Sequence, residues 1–296
     1  MKIYLIIFCN VFQLLHKEVV MNLHEKEVEQ NNRFEFGKNW SKFLDKLDEE
    51  RIFEAEISLK KMINIKSFKD KSFLDIGSGS GLFSLAARRL GANVHSFDYD
   101  PLSVKCTLEL KDRYFPNDIK WNIEEASILD NNYIDKLGVY DIVYSWGVLH
   151  HTGSMYIAFE NSIKCVARGG FLYIAIYNDQ KWKSHLWWFI KLVYNKLPGL
   201  LGVIYAYLLT LALDIINIIK HTIKFEPIEA FKPLLNYKKK RGMSRMSDII
   251  DWIGGFPYEF ETFNNLKTYY EVRGFELVES KKASSLGCHE MVFRKI

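Results

Sequence analysis

The chain has 296 residues, 48% of them hydrophobic, and is therefore long enough to form a full apolar core. Its formal net charge of +4 at pH 7 does not by itself indicate a nucleic-acid partner. The four cysteines, Cys9, Cys106, Cys165 and Cys288, are scattered, which argues against a disulfide framework or a zinc cluster and fits a reducing cytoplasm.

The N-terminal segment is apolar but short. Residues 4–15 are interrupted by Asn10 and Gln13, and no small-residue cleavage site follows, so a signal peptide is poorly supported. The stretch is also too short to span a bilayer. We expect an extension from an upstream start codon, with Met21 as the natural beginning. A weak membrane-surface anchor is the alternative.

The most informative stretch covers residues 73–81, Phe-Leu-Asp-Ile-Gly-Ser-Gly-Ser-Gly. It predicts a buried strand, a glycine turn and a helix that begins near Leu82. Gly77, Gly79 and Gly81 would let backbone N–H groups approach a ligand with no Cβ in the way. The G-x-G-x-x-G dinucleotide fingerprint is not met, because Leu82 stands where the third glycine should be.

Two carboxylates accompany this turn. Asp75 precedes the loop, where it would repel a pyrophosphate and attract an ammonium or sulfonium group. Residues 93–98 predict the next strand, which ends in Asp98, and a carboxylate there can accept from both ribose hydroxyls. The pair favours a cationic nucleoside over NAD. A generic strand–turn–helix unit with a capping acid is the alternative.

Short apolar strands then alternate with helical segments. Asp100-Pro101 is typical of a helix start, and Gly274 of a helix end. Further strands are predicted at residues 119–123, 140–145, 171–177, 275–279 and 288–294. Five strands separated by helices, before the final pair, predict a parallel sheet with helices on both faces.

An excess of about 80 residues separates the fifth strand from the last helix, where a short connection is usual. Residues 200–219 are strongly apolar, but a polar stripe with helical spacing runs along them and Asp214 would lie deep in any span. We predict an amphipathic helix that packs on the sheet domain, on a second subunit or on a membrane surface, with a transmembrane span as the alternative. The stripe consists of Thr210, Asp214, Asn217 and His221. The basic run at residues 238–241 predicts either a solvated face or a patch for anionic lipid or glycan phosphate.

Two adjacent histidines follow the fourth predicted strand. Residues 145–153 read Ser-Trp-Gly-Val-Leu-His-His-Thr-Gly, at the strand edge where doubly wound sheets bind ligands. A neutral imidazole suits a general base near pH 7. We favour His151 over His150, because it lies further from the strand end. A capping or packing histidine is the alternative.

These motifs resemble those of the class I S-adenosylmethionine-dependent methyltransferases, in particular the small-molecule, ubiquinone-type branch. The resemblance covers about residues 71–179 and 256–294. It implies an α/β fold with a doubly wound, mostly parallel seven-stranded sheet whose last strand is antiparallel. An N-terminal helical lid and a helical insertion after the fifth strand complete the expected architecture. The domain organisation follows as an extension with lid helices at 1–70, a core at 71–180 and 256–296, and a helical substrate cap at 181–255.

The resemblance also implies roles for individual residues. In this family the acid before the loop faces the methionine ammonium, the glycines line the cofactor and the second acid holds the ribose. The implied cofactor-binding residues are Asp75, Gly77, Ser78, Gly79, Gly81, Asp98, Tyr99, Ser127, Ser145 and Trp40. Trp40 belongs to a segment, residues 33–40, that resembles an aromatic lid helix, although simple N-terminal packing is equally compatible with it. His150 and His151 match histidines thought to assist deprotonation in sugar O-methyltransferases, and no metal is implied.

We therefore predict a cytoplasmic enzyme that transfers a methyl group from S-adenosylmethionine to a hydroxyl of a small molecule, such as a sugar, a glycan intermediate or a quinone-like phenol. The reaction is an in-line displacement with histidine-assisted deprotonation. A homodimer and peripheral contact with the inner face of the membrane through residues 185–220 are further expectations. Nucleic acid is not expected, because the [DN]-P-P-[FYW] motif of base-amine methylation is absent after residue 145. The alternatives are an RNA (tRNA)-modifying methyltransferase and a non-catalytic S-adenosylmethionine-binding protein.

Overall fold

A computed structural model describes residues 23–223 and 245–296. The predictions about the segment before Met21 and about the basic run at 238–241 lie outside these residues. Within them the chain forms one seven-stranded sheet with helices on both faces.

The sheet has the order β3-β2-β1-β4-β5-β7-β6. Its strands are β1 Ser72–Ile76, β2 Asn93–Asp98, β3 Trp121–Glu125, β4 Tyr140–Trp146, β5 Val166–Tyr177, β6 Phe275–Lys281 and β7 Cys288–Lys295. All neighbours pair in parallel except β7, which is antiparallel to both β5 and β6. The predicted doubly wound, mostly parallel seven-stranded fold is thereby confirmed.

Helices cover both faces of this sheet. They are α1 Leu23–Glu29, α2 Gly37–Leu44, α3 Glu49–Ile63, α4 Leu82–Arg89, α5 Pro101–Tyr114, α6 Asn131–Leu137, α7 Met155–Lys164, α8 Trp182–Lys196, α9 Gly199–Ile223, α10 Arg245–Gly254 and α11 Phe263–Glu271. One apolar cluster packs under α3, α4 and α5, and a second under α6, α7 and α11. Burial of apolar surface on both faces explains why the central strands β1, β4 and β5 are rich in apolar residues.

The start of α5 follows the local sequence signals. Asp100 is its N-cap and accepts a hydrogen bond from the Leu102 N–H at 2.8 Å, with Pro101 in the first turn. Two strand starts differ from prediction. β5 begins at Val166, five residues before the predicted residue 171. β3 begins at Trp121, and Ile119, although it continues the apolar alternation, is 96% exposed in the preceding turn. Alternation alone does not locate the residue at which ladder pairing begins.

The topology brings three chain segments to one edge. Asp75 of β1 pairs in register with Ser96 of β2 and with Tyr144 of β4. The glycine loop, the tip of β2 and the segment after β4 therefore lie side by side at the carboxyl ends of the strands, where ligands bind in such sheets.

The described residues of the insertion after β5, 181–223 and 245–255, form α8, α9 and α10. In α9 small and polar residues face protein and large aliphatic residues face outward, which is the reverse of a usual amphipathic helix. α9 packs on α8 and α10 through Gly202, Ala206 and Thr210, which are its buried residues. The predicted polar stripe begins at this protein-facing side, because Thr210 is its first member. The aliphatic side chains of α9 face outward instead.

Candidate active site

A cavity of about 690 Å³ opens at the carboxyl edge of the sheet. Its size is typical of a pocket for a nucleoside-sized ligand and a small partner. Nine of the predicted site residues line it: Trp40, Asp75, Gly77, Ser78, Gly79, Asp98, Tyr99, Ser127 and His151. Aromatic side chains from the lid segment, from the end of β5 and from α10 line it as well.

The glycine loop leaves no room for a side chain at Gly77 or Gly79. Gly77 has φ +76°, and a Cβ there would lie 2.4 Å from the side chain of Val148. Gly79 has φ +56°, and a Cβ there would lie 3.0 Å from the indole of Trp40. Both positions need glycine for backbone conformation and for space.

The N–H groups of the three loop glycines and of Ser78 are not open donors, contrary to the expectation from sequence. Those of Gly77 and Ser78 donate to the Phe97 carbonyl at 2.8 and 3.1 Å. The N–H of Gly79 donates to Asp98 Oδ2 at 2.8 Å. The loop needs these bonds to hold its turn against β2, so the glycines provide close approach rather than hydrogen-bond donors.

Asp75 is a buried carboxylate in the cavity wall. Its Oδ2 accepts from Ser84 Oγ at 2.5 Å, Ser84 bonds Ser96 at 2.7 Å, and Trp121 Nε1 donates to Ser96 at 2.9 Å. Burial raises the pKa of Asp75 to about 7, although the Ser84 hydrogen bond opposes this. A cationic ligand would favour the ionised form.

Asp98 stands at the tip of β2 with both oxygens engaged. Oδ2 accepts from Gly79, and Oδ1 accepts from the Asp100 N–H at 2.9 Å. Each carboxylate oxygen has a second lone pair, so Asp98 can still accept from hydroxyl groups. Burial raises its pKa to about 6.

Two contacts that the sequence did not predict hold the lid segment, residues 33–40, against this edge of the sheet. Asp100 Oδ2 accepts from the Gly37 N–H at 2.7 Å, which ties the first turn of α2 to the start of α5. Arg33 Nη1 donates to the His151 carbonyl at 3.0 Å, and its guanidinium lies 5.0 Å from the ring centroid of Tyr99. The sequence predicted Asp100 only as the cap of a helix, and no neighbouring residue indicated the partners of Arg33.

The two histidines have different environments. His151 lines the cavity, and its Nδ1 lies 2.6 Å from the Pro257 carbonyl oxygen. A carbonyl only accepts, so Nδ1 carries the proton and Nε2 is the acceptor nitrogen. Burial, the charge of Lys191 and that of Arg33 lower the pKa of His151 to about 3, against the effect of the Pro257 hydrogen bond.

His150 does not line the cavity. It is wholly buried, and its ring centroid lies 4.0 Å from that of Tyr177. Burial, followed by the charges of His151 and Lys191, holds its pKa well below the ordinary histidine value. Both imidazoles are therefore neutral at pH 7.

Lys191 of α8 was not predicted as part of the site. Its side chain is fully buried, donates to the Trp252 carbonyl and lies 4.2, 4.8 and 6.0 Å from the ring centroids of Trp252, Tyr258 and Tyr177. Burial lowers its pKa to about 7. Trp252 and Tyr177 line the cavity, so Lys191 supports its aromatic wall from behind.

Two predicted cofactor contacts point elsewhere. A Cβ on Gly81 would lie 2.9 Å from Thr107 Cα, so this glycine allows α4 to approach α5. Ser145 is buried and donates to the Ile76 carbonyl at 3.1 Å, which ties β4 to β1. Neither residue lines the cavity.

The residues at this edge fit a cationic nucleoside. A buried carboxylate, a loop with two glycines that cannot take a side chain and a second carboxylate at the tip of β2 line one cavity. With the sheet order, this site defines a class I S-adenosylmethionine-dependent methyltransferase, and S-adenosylmethionine is the cofactor of that class.

The comparison with known families agrees. The profile of a methyltransferase domain family matches residues 48–198, just over half of the chain, and the protein belongs to that family. The match begins at the cap of α3 and ends before α9 begins.

Individual relatives are more distant. A ribosomal protein L11 methyltransferase of Prochlorococcus marinus (strain MIT 9301) is 35% identical over 127 residues, which are 42% of this chain and 41% of the relative. A protein of the same description from strain AS9601 is 54% identical over 52 residues, 17% of each chain. The chain thus spans about two fifths or less of the length of these curated relatives.

Solved structures share the fold at low identity. PKMT2 from Rickettsia typhi, in complex with AdoHcy, aligns with a TM-score of 0.54 and 11% identity over 81% of this chain and 52% of that one. An O-methyltransferase family protein from Burkholderia thailandensis aligns with a TM-score of 0.50 and 10% identity over 82% and 57%.

Proposed function

We propose that this methyltransferase acts on the hydroxyl of a small molecule with an apolar or aromatic body, with His151 as the general base. One observation carries the proposal: the His151 imidazole lines the same cavity as Asp75 and Gly77, with Nδ1 occupied by the Pro257 carbonyl. Nε2 is thereby the atom available to accept a proton.

The residues proposed for the cofactor half of the cavity are chosen by the chemistry of their side chains. Asp75 would face the methionine ammonium, Gly77 and Gly79 would allow close approach, Asp98 would accept from the ribose, and Trp40 would cover the loop. When bound, S-adenosylmethionine supplies an electrophilic methyl on a good leaving group. The chain's remaining tasks are to align the acceptor oxygen and to take its proton.

The acceptor half favours a phenol over a sugar. Its wall includes Phe36, Trp146, Tyr177 and Trp252, and such rings bind flat apolar bodies well. A neutral imidazole takes a proton more readily from an acidic hydroxyl, and a phenol, with a pKa near 10, is far more acidic than an alcohol. Both properties support a quinone-like phenol among the acceptors considered.

A protein acceptor is the second candidate. The similarity to ribosomal protein L11 methyltransferases supports it, over 42% of this chain. It competes with the phenol proposal at the same cavity, because both would use the same cofactor.

The test is transfer of radiolabelled methyl from S-adenosylmethionine to a panel of phenols and catechols, sugar nucleotides, tRNA and ribosomal protein L11. We expect label in a phenol. We expect His151→Gln to lower its turnover by about 100- to 10,000-fold. The matched control is His185→Gln, which changes an exposed histidine of α8 and should leave turnover unchanged.

Two outcomes would contradict the proposal. Label in L11 or tRNA alone would replace the acceptor. Tight binding of AdoHcy with no methylated product across the panel would favour a non-catalytic binding protein.

A further inference from the structure

The outward surface of α9 is almost entirely aliphatic. Its large side chains that are more than a third exposed are Leu200, Leu201, Val203, Ile204, Tyr207, Leu208, Leu211, Leu213, Ile215, Ile216, Ile219 and Ile223. Exposed apolar surface of this extent marks an interaction site. We call this surface the aliphatic face of α9.

The face wraps most of the helix. At 3.6 residues per turn, the exposed positions other than Leu213 span roughly 220° of the circumference, and the 25 residues extend for about 37 Å. The buried stripe of Gly202, Ala206 and Thr210 takes up the narrow remainder. A second folded protein reaches mainly one side of a helix, whereas lipid chains adapt to a wider arc of its surface.

The surroundings of the face have the composition of a membrane interface. Between Trp182 and Ile223 the chain has four lysines and one aspartate, and three of those lysines, Lys183, Lys196 and Lys220, are not buried. On α8, Trp182 and Trp188 are 68% and 41% exposed. Lysine and tryptophan together suit the anionic headgroup region.

A single membrane crossing by α9 conflicts with the fold, although the helix is long and apolar enough for one. α10, which follows it, packs on α8, which precedes it, and the ring centroids of Trp187 and Trp252 lie 5.5 Å apart. Both ends of the insertion are thus on the same side. A crossing would force residues 224–244 back through the bilayer, with Glu226, Glu229 and the basic run at 238–241.

We propose that the aliphatic face of α9 is a monotopic membrane-docking surface, which lies along an anionic bilayer and does not span it. The physical basis is burial of aliphatic side chains at the headgroup–acyl boundary, with attraction between the nearby exposed lysines and anionic headgroups. The proposal does not depend on the methyl acceptor, because it concerns only the lipid contact.

The experiment is flotation of the full chain with vesicles of phosphatidylcholine and phosphatidylglycerol in a 3:1 ratio. We expect the chain to float with these vesicles, and less with phosphatidylcholine alone. The double variant Ile204→Asp/Leu208→Asp should lower the bound fraction at least tenfold. The matched control, Ile119→Asp/Val139→Asp, changes aliphatic residues that are 96% and 61% exposed elsewhere, and should float as the wild type does.

Two further measurements keep the result decisive. Calorimetric binding of AdoHcy reports whether the double variant is folded, and quenching of tryptophan emission by brominated lipid tests docking of the unchanged chain. Absence of both flotation and quenching would overturn the proposal. A dimer that light scattering detects without lipid, and that the double substitution abolishes, would also overturn it. Resistance of the membrane-bound chain to alkaline carbonate extraction would indicate a spanning helix and would overturn it as well.

Discussion

Cofactor affinity should depend on pH through Asp75. Burial raises the pKa of this carboxyl to about 7, so about half of it is ionised at pH 7 and about 1% at pH 5. A ligand ammonium is attracted only to the ionised form. We therefore expect the affinity for AdoHcy to fall about 50-fold, or about 2 kcal/mol, between pH 7 and pH 5. The amine of AdoHcy keeps its proton throughout, since α-amino groups titrate near pH 8.

The perturbation is Asp75→Asn. This change should weaken AdoHcy binding at pH 7.5 by about 1.5–3 kcal/mol, the usual value of a hydrogen bond to a charged group, and remove most of the dependence on pH. The assay is calorimetry at several pH values in two buffers of different ionisation enthalpy, where the wild type should release about half a proton at pH 7. Asp98→Asn is the control. The pKa of Asp98 is raised to about 6, so that variant should keep the dependence between pH 6 and pH 7.

The same substitution should stabilise the protein without cofactor. A raised folded-state pKa means that the native protein holds a proton that the unfolded chain has lost between about pH 4 and pH 7. The free energy of unfolding therefore falls as the pH rises through this range, by up to about 4 kcal/mol from Asp75. Asp75→Asn should raise the melting temperature at pH 8. Equal AdoHcy affinity at pH 5 and pH 7.5, with no proton release and no stabilisation, would refute the reasoning.

Three further predictions concern the same cavity. His151→Gln should lower turnover but change AdoHcy affinity less than twofold. Because the folded-state pKa of His151 is about 3, the wild-type rate should not fall between pH 8 and pH 5 through protonation of this residue. A fall in rate below about pH 6.5 that the variant loses would contradict this pKa. Gly77→Ala should abolish cofactor binding, since its Cβ would lie 2.4 Å from the side chain of Val148. Gly138 has a similar φ, and a Cβ there would meet no atom within 4 Å, so Gly138→Ala should cost only backbone strain. Equal AdoHcy affinity in the two variants would exclude the steric argument. Trp40→Ala should weaken AdoHcy binding about tenfold by removing the indole above the glycine loop, and unchanged affinity by calorimetry would remove the lid from the cofactor site.

The sequence by itself predicted the sheet and the residues that we propose for the cofactor half of the cavity. Asp75, the positive-φ glycines and Asp98 are local signals, because a strand end, a tight turn and a helix start each depend on a few neighbouring residues. Parallel strands joined by right-handed crossovers have their carboxyl ends at the same edge of the sheet, so Asp75 and Asp98 meet there. The same local logic identified the Asp100 cap, which the structure retains.

Only the tertiary structure decided which of these residues line the cavity. Gly81 and Ser145 have the expected residue types, but contacts with Thr107 and with the Ile76 carbonyl turn them away from the cavity. His151 rather than His150 reaches the cavity wall, because Pro257, more than 100 residues later in the chain, holds its ring.

The acceptor half and the insertion depended most on long-range contacts. Lys191 and Trp252 are far apart in the chain, and no local pattern indicates that they meet. The periodicity of α9 showed which side chains share a side of the helix, but not which side meets protein. That choice was made by α8 and α10, whose close packing admits Gly202, Ala206 and Thr210 and leaves the larger aliphatic residues outside.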